Sequence, residues 1–221
     1  MIRNVIFDLD GTLADTSPGI IESVQYTVSV MGWQPLTREQ LLSFIGPPLR
    51  KSFMDCCGCS EAEAQQAVTV FRTYYQAGAV LHAAPYPGME VLCAQLRAQG
   101  FGLAVATNKP QRFADALVQH FGLAEYLHPV CGADEAGKLK KADLIRLSAE
   151  GLHAELSETV LVGDTENDAE GAAAAGVQFL AVTYGFGFRS TADVQACTPI
   201  GTADSPRAIA DILIRTEGSP T

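Results

Sequence analysis

The sequence predicts an α/β protein with a parallel sheet and an inserted helical domain. Short β-branched or apolar runs alternate with helix-like runs over most of the 221 residues, which is typical of parallel strands joined by crossover helices. Between residues 16 and 83 this alternation stops, and amphipathic stretches such as GIIESVQYTVSVMG and EAEAQQAVTVFRTYYQ indicate a helical bundle. We therefore expect a core domain of residues 1–15 and 84–221 and a helical domain of residues 16–83.

Four strands of the core are predicted from the apolar runs NVIFDL, GLAVAT, TVLVGD and VQFLAV, and EYLHPVCGAD is a weaker candidate. The predicted crossover helices span residues 89–99, 111–120, 141–150 and 167–175. Glycines at positions 100, 122, 151 and 176 lie at or just after the helix ends, where glycine is a common stop signal. The chain returns from the helical domain through APYPG, whose prolines and glycine restrict the connector.

Charge and hydropathy limit the classes of partner. Acidic residues outnumber basic ones by 25 to 15, whereas a surface for nucleic acid or an anionic membrane needs clusters of Lys and Arg. We expect neither partner. The first strand follows no basic leader with an apolar centre, and no apolar run approaches the length of a membrane span. The sequence thus predicts a cytoplasmic protein, and we expect a monomer or a weak dimer.

The six cysteines are expected to be free thiols. Three of them crowd into CCGC at positions 56–59, which is a poor framework for disulfides in a chain with a core of this size. The spacing of Cys56 and Cys59 is formally that of a CxxC metal or redox site. A structural zinc ion takes four ligands, however, and no second pair and no nearby histidine completes this set. An ordinary helix end is the preferred interpretation.

Polar residues follow the predicted strands where a ligand site is expected. In an open parallel sheet, ligands bind outside the carboxyl ends of the strands. The residues near those ends are Asp8, Asp10, Thr107, Asn108, Lys141, Asp164 and Asp168. Two carboxylates ~4 Å apart repel by about 4 kcal/mol at an effective dielectric of roughly 20, so a cation must lie among them. Oxygen ligands without His or Cys favour a hard cation, and the small number of carboxylates favours Mg²⁺ over Ca²⁺.

The pair Asp8 and Asp10 favours phosphoryl transfer over metal binding alone. A carboxylate beside Mg²⁺ can attack phosphorus and form an aspartyl-phosphate. Residues i and i+2 of an extended strand point the same way, so the second acid can exchange a proton with the leaving group and with water. Gly11 and Thr12 fit a tight turn and a hydroxyl that orients one of the acids. Thr107 and Lys141 would then meet the phosphoryl oxygens.

Four motifs in the expected order resemble those of the haloacid dehalogenase superfamily. FDLDGTLADT resembles the first, ATN the second, a lysine ahead of a helix the third and GDTENDAEGA the fourth. The helical insert resembles the cap of the phosphoglycolate phosphatase-like branch. The resemblance implies a Rossmann-like core, Mg²⁺ as cofactor and a small phosphorylated metabolite as partner. It makes Asp8 the nucleophile and a metal ligand, and Asp10 the general acid/base with its backbone carbonyl on the metal.

The resemblance also implies roles for the other strand-end residues. Thr107 and Asn108 would hold the phosphoryl group, and Asp164 would bind Mg²⁺ with Asp168 supporting it directly or through water. The stretch GKLKKADLI lacks the proline that commonly follows the lysine of the third motif. Lys141 is the predicted active-site lysine, because KADLI resembles the helix start in relatives without that proline.

Lys138 is the alternative to Lys141 as the active-site lysine.

Three further residues are predicted to contact the substrate. Arg50, in the cap stretch FIGPPLR, would meet a carboxylate or a second phosphate. Lys109, directly after the second motif, resembles the lysine of TNKP in phosphoglycolate phosphatases, and Thr16 is assigned to the same group. YGFGF, after the last predicted strand, resembles a family loop near the active site.

The predicted function is that of a Mg²⁺-dependent phosphatase acting on a small phosphomonoester similar to phosphoglycolate, through an aspartyl-phosphate. A phosphomutase with the same chemistry, a pyrophosphatase and a nucleotide phosphatase are the alternatives. A non-enzymatic switch phosphorylated on Asp8 is less favoured, because a receiver domain needs neither Asp10 nor a long insert. Asp10 also disfavours a dehalogenase, which has no alkoxide to protonate.

Overall fold

The computed structural model describes residues 1–134 and 138–215. The chain forms two compact units, one of Met1–Asp15 with Pro85–Thr221 and one of Thr16–Ala84. Residues 135–137 and 216–221 of the predicted core domain lie outside the described residues. The second boundary between the units falls after Ala84, where the sequence predicts it after residue 83.

Strands and helices alternate along most of the chain. In chain order they are β1 (Asn4–Phe7), β2 (Ala14–Asp15), α1 (Ser17–Val30), α2 (Arg38–Leu42), α3 (Leu49–Cys57), α4 (Glu61–Gln76), β3 (Ala84–Pro85), α5 (Met89–Ala98), β4 (Gly102–Pro110), α6 (Gln111–His120), β5 (Val130–Ala133), α7 (Lys141–Gly151), β6 (Thr159–Gly163), α8 (Glu166–Ala175), β7 (Gln178–Val182), α9 (Thr191–Val194), β8 (Gly201–Ala203) and α10 (Pro206–Arg215). Short 3₁₀ helices span Ala79–Leu81, Leu156–Glu158 and Gln195–Cys197.

A six-stranded sheet in the order β5-β4-β1-β6-β7-β8 forms the centre of the first unit. All its pairings are parallel, which confirms the predicted α/β class. The four central strands are those predicted from the apolar runs. Most of their residues are buried, as expected for a parallel sheet covered by crossover helices, and Val5, Ile6 and Phe7 of β1 are fully buried. A separate two-stranded sheet pairs β2 with β3.

The predicted crossover helices are confirmed within one residue at each end as α5, α6, α7 and α8. Gly176 ends α8 in the left-handed conformation, with φ of +83°, which residues with a side chain rarely adopt. Gly151, which the sequence marks as a stop signal, is instead the last residue of α7. At its start, α8 has a capping box in which Thr165 and Asp168 bond to each other's backbone N–H.

The second unit is helical, as predicted, and contains α1 to α4. Its aromatic core includes Phe53, whose ring centroid lies 4.9 Å from that of Phe44 and 6.0 Å from that of Trp33. Helix α3 ends at Cys57, and Gly58 caps it in the left-handed conformation, so CCGC marks a helix end. All six cysteines are free, as predicted. Within residues 1–134 and 138–215, the helices are too short or too polar to cross a membrane.

Candidate active site

The sheet order brings the acidic strand ends together. Strand β1 lies between β4 and β6, and Phe7 is aligned with Val105 on one side and Val162 on the other. Asp8 continues from β1 and donates its backbone N–H to Val162 O at 2.9 Å. Asp164 directly follows β6. The two carboxylates therefore leave neighbouring strands at nearly the same level, as the pattern of strand ends predicts.

Lys141 joins two of the carboxylates. It is the first residue of α7 and is 5% exposed. Its Nζ lies 2.7 Å from Asp8 Oδ1, 2.7 Å from Asp168 Oδ1 and 3.0 Å from Ala106 O. An ammonium group has three hydrogens, so each of them meets one acceptor. The alternative lysine, Lys138, has an exposed side chain.

Asp8 has one fixed and one open carboxylate oxygen. Lys141 binds Oδ1, and no donor within residues 1–134 and 138–215 contacts Oδ2. The side chain keeps 10% of its surface exposed. Burial raises the pKa of Asp8 to about 7, an effect that Lys141 opposes and that Asp168 and Asp164 reinforce. Asp8 thus lies in a buried, acidic environment that favours its protonated form.

Asp164 is fully buried and has both oxygens hydrogen-bonded. Thr12 Oγ1 donates to Oδ1 at 3.2 Å, so this hydroxyl orients one of the acids, as predicted. The backbone N–H groups of Phe186 and Gly187 donate to Oδ2 at 2.7 and 3.1 Å. Burial raises the pKa of Asp164 to about 6; Asp168 adds to this rise, and the three donors oppose it.

The segment Tyr184–Phe188, which contains YGFGF, encloses Asp164. A Cβ on Gly185 would overlap Gly11 O, and a Cβ on Gly187 would overlap Asp164 O, so both positions need glycine for this close approach. Tyr184 Oη donates to Thr12 O at 2.9 Å. Sequence reasoning missed the two backbone donors to Asp164, because every residue except proline carries such a group. The glycines at positions 185 and 187 are the sequence feature that could have indicated a close approach of this backbone to the site.

Asp168, in the first turn of α8, connects Asp164 to Lys141. Its Oδ2 accepts from the backbone N–H of Asp164 at 3.2 Å, and from Thr165 N at 3.0 Å and Thr165 Oγ1 at 2.7 Å. Its Oδ1 forms the ion pair with Lys141. Both oxygens are thus used in holding the residues that surround Asp8.

These carboxylates fit a divalent cation. Asp8, Asp164 and Asp168 each offer an oxygen within 4.8 Å of the others, and all three residues are buried. Among the described residues of the site, four carboxylates, including that of Asp10, face the ammonium groups of Lys109 and Lys141, so these six side chains together carry two excess negative charges when ionised. Oxygen donors and an uncompensated double charge are what a hard divalent ion such as Mg²⁺ needs.

The end of β4 supplies a second lysine. Lys109 is buried, and its Nζ lies 2.8 Å from Asp10 Oδ1 and 3.2 Å from Oδ2. Its backbone N–H donates to the buried hydroxyl of Thr107 at 3.2 Å. Asn108, between them, is exposed. Asp8 and Asp10, which follow β1, and residues 107–109 at the end of β4 thus lie in the same unit as Asp164 and Lys141.

The remaining predicted substrate contacts belong to the other unit. Arg50 is exposed on α3, and its Nη1 lies 2.7 Å from Glu61 Oε1. Thr16 directly precedes α1 and is buried. Their part in substrate binding stays a prediction.

Comparisons with known proteins agree with this fold. The family model described as haloacid dehalogenase-like hydrolase matches residues 5–182. A 5'-nucleotidase from Pseudomonas aeruginosa is 37% identical over 187 residues, covering 83% of this chain and 84% of the relative. A phosphoglycolate phosphatase from Neisseria meningitidis is 32% identical over 193 residues, covering 84% and 82%. The crystal structure of a predicted phosphatase from Clostridium acetobutylicum is 34% identical and has a TM-score of 0.86, covering 97% of this chain and 100% of that one. This chain therefore belongs to the haloacid dehalogenase-like hydrolases and is an enzyme of their phosphatase class.

Proposed function

We propose that this enzyme is a Mg²⁺-dependent phosphatase that hydrolyses a small phosphomonoester through an aspartyl-phosphate on Asp8. The state of the Asp8 carboxylate carries the proposal. Lys141 fixes Oδ1, while Oδ2 has no donor in the described part of the chain. A carboxylate with a purely structural role would have both oxygens satisfied, as Asp168 has. An oriented carboxylate with one open oxygen suits nucleophilic attack on phosphorus.

The reaction has two steps on this arrangement. Asp8 Oδ2 attacks phosphorus, the bond to the ester oxygen breaks, and Asp10 gives a proton to the leaving oxygen. Water then attacks the aspartyl-phosphate, its proton passes to Asp10, and inorganic phosphate leaves. The Asp10 side chain is 24% exposed, which allows water to reach it. Thr107 and Asn108 would donate to the phosphoryl oxygens, and Lys141 would offset their charge.

Asp8 and Asp164 would hold Mg²⁺ together with the backbone carbonyl of Asp10, and Asp168 would support them. When bound, Mg²⁺ would neutralise charge on the carboxylates and on the phosphoryl oxygens. The hydrogen bonds of Thr12, Phe186 and Gly187 fix the Asp164 carboxylate in place for that purpose.

A small phosphomonoester is the substrate class that the relatives support, since they are named 5'-nucleotidase and phosphoglycolate phosphatase. We propose that unit Thr16–Ala84 acts as a cap and that Arg50 recognises a carboxylate or second phosphate of the substrate. The exposed guanidinium would exchange its ion pair with Glu61 for the substrate anion. Thr16 is a further proposed substrate contact, while Lys109, which the sequence also predicts to contact the substrate, is ion-paired with Asp10.

Phosphate release from a panel of substrates tests this function. The panel contains phosphoglycolate, nucleoside monophosphates, pyrophosphate, hexose phosphates and p-nitrophenyl phosphate, each with Mg²⁺ and with EDTA. We expect release that needs Mg²⁺ and that Asp8→Asn lowers by about 10⁴-fold or more. Asp55→Asn, which alters an exposed carboxylate on α3, is the matched control and should keep normal turnover. Release in EDTA, normal turnover by Asp8→Asn, or no release from any substrate would contradict the proposal.

A further inference from the structure

Lys109 makes a forked contact with Asp10. Its Nζ lies 2.8 Å from one carboxylate oxygen and 3.2 Å from the other, and its side chain is only 5% exposed. A lysine that waits for a substrate anion would present its ammonium group to solvent, because a buried charge needs a partner. The position of this ammonium between both oxygens of Asp10 indicates that the carboxylate is itself a ligand of Lys109.

An irregularity of β4 places Lys109 there. Thr107 is aligned with Gly132 of β5, but the next aligned pair is Pro110 with Ala133, so β4 has extra residues at this point. Such bulges redirect side chains and are common beside active sites. Asn108 is exposed within the bulge, whereas Lys109 is buried and bonds through its backbone N–H to Thr107 Oγ1. The local backbone thus holds the lysine stem while the ammonium group holds Asp10.

We propose that Lys109 is a positioning residue for Asp10 in the second step of the reaction: its ammonium group holds the Asp10 carboxylate in the orientation that accepts the proton of the attacking water. This inference rests on the proposed function. In that step the water oxygen bonds to phosphorus, the bond between Asp8 and phosphorus breaks, and the proton moves to Asp10. A carboxylate without its ion-pair partner rotates more freely and meets the water less often. Loss of Lys109 should therefore slow breakdown of the phosphorylated enzyme more than its formation.

Rapid-quench kinetics with p-nitrophenyl phosphate and Mg²⁺ separate the two steps. Nitrophenolate is a good leaving group that needs little help from an acid, so formation of the phosphorylated enzyme does not depend on Asp10. The variants are Lys109→Met, Lys109→Arg, Asp10→Asn and the double variant Lys109→Met with Asp10→Asn. Lys51→Met is the matched control, since it removes another lysine–aspartate pair that is exposed on α3. Thermal unfolding checks that each variant is folded.

For Lys109→Met we expect a burst of nitrophenol, accumulation of protein-bound phosphate and a fall in kcat of at least about tenfold, within the range that proton transfer contributes. Lys109→Arg should recover part of kcat. The double variant should be no slower than Asp10→Asn alone, because both changes act on one group. Lys51→Met should match the wild type.

Other results would overturn the inference. A raised KM without accumulated phosphoenzyme would make Lys109 a substrate ligand only, and additive losses in the double variant would show that it acts independently of Asp10. If Lys109→Met does not fold, Lys109→Arg decides: a raised KM without accumulated phosphoenzyme in that variant would contradict the inference. A wild type that neither releases phosphate nor becomes phosphorylated would instead refute the proposed function.

Discussion

Lys141 Nζ lies 2.7 Å from Asp8 Oδ1, and the same ammonium group is 2.7 Å from Asp168 Oδ1. Burial lowers the pKa of Lys141, but Asp168 and Asp8 raise it by more, so it stays above its usual value. The lysine is therefore a permanent cation between two buried carboxylates. Its hydrogen bonds hold Asp8 in one orientation, and its charge compensates part of that of the two carboxylates.

Removing this cation should destabilise the protein. Lys141→Met leaves Asp8 and Asp168 buried without their partner, and breaking a buried pair in this way costs about 3–5 kcal/mol. We expect a loss of that order in the free energy of unfolding, measured by urea titration in EDTA. Mg²⁺ should restore part of it. Lys138→Met, at the exposed alternative position, should change stability by less than about 0.5 kcal/mol. A larger effect of Lys138→Met on turnover would contradict the assignment of Lys141.

Gly171 of α8 makes room for the stem of Lys141. A Cβ at position 171 would lie 2.5 Å from Lys141 Cγ and 2.9 Å from its Cβ. Replacing an interior helical glycine by alanine ordinarily stabilises a helix by about 1 kcal/mol. Gly171→Ala should instead give no gain in stability and should lower kcat, because the ammonium group shifts away from Asp8. The melting temperature and kcat of this variant test the prediction, and a stabilised, fully active enzyme would contradict it.

The hydroxyl of Thr12 should contribute to metal affinity through Asp164. Thr12→Val keeps the shape of the side chain but removes the donor to Asp164 Oδ1. Loss of a group that orients a metal ligand typically costs about 10- to 100-fold in affinity. We expect a weakening of Mg²⁺ binding in that range by isothermal titration calorimetry, and near-normal binding for Thr12→Ser. Equal affinities of the valine and serine variants would show that the hydroxyl does not position Asp164.

Residue type and spacing were enough to predict the central strands, because buried parallel strands need continuous apolar runs such as TVLVG. The edge strands were harder. Strand β5 reads VCGA and was only a weak candidate, while β8, Gly201–Ala203, is too short to give a periodic signal. Helix α10 was missed as well, although Pro206 stands at its first position, where proline is favoured.

The sequence predicts those residues of the candidate site whose side chains directly follow a strand, such as Asp8 and Asp164. Two features of the site depend on geometry that residue types do not encode. The donors from Phe186 and Gly187 are backbone groups, and the contact of Lys109 with Asp10 follows from the bulge in β4. Spacing along the chain shows neither a backbone donor nor a bulge.

The free energy of unfolding of the metal-free enzyme should fall as the pH rises from about 5 to about 7.5. Burial raises the pKa of Asp8 to about 7 and that of Asp164 to about 6, each from an ordinary value of 3.8. Between the ordinary and the raised values, the folded protein binds more protons than the unfolded chain, so stability decreases with pH. Urea titrations in EDTA at several pH values measure this slope.

The same titrations, repeated with Asp8→Asn and with Mg²⁺, identify which groups cause the decrease of stability with pH. The variant lacks one of the two titrating groups and should show a smaller slope. Mg²⁺ competes with protons for the same oxygens, so its stabilising effect should grow as the pH rises through this range. A stability in EDTA that stays constant or increases with pH would show that Asp8 and Asp164 are ionised in the metal-free protein. The two excess negative charges would then be compensated by groups other than a bound cation.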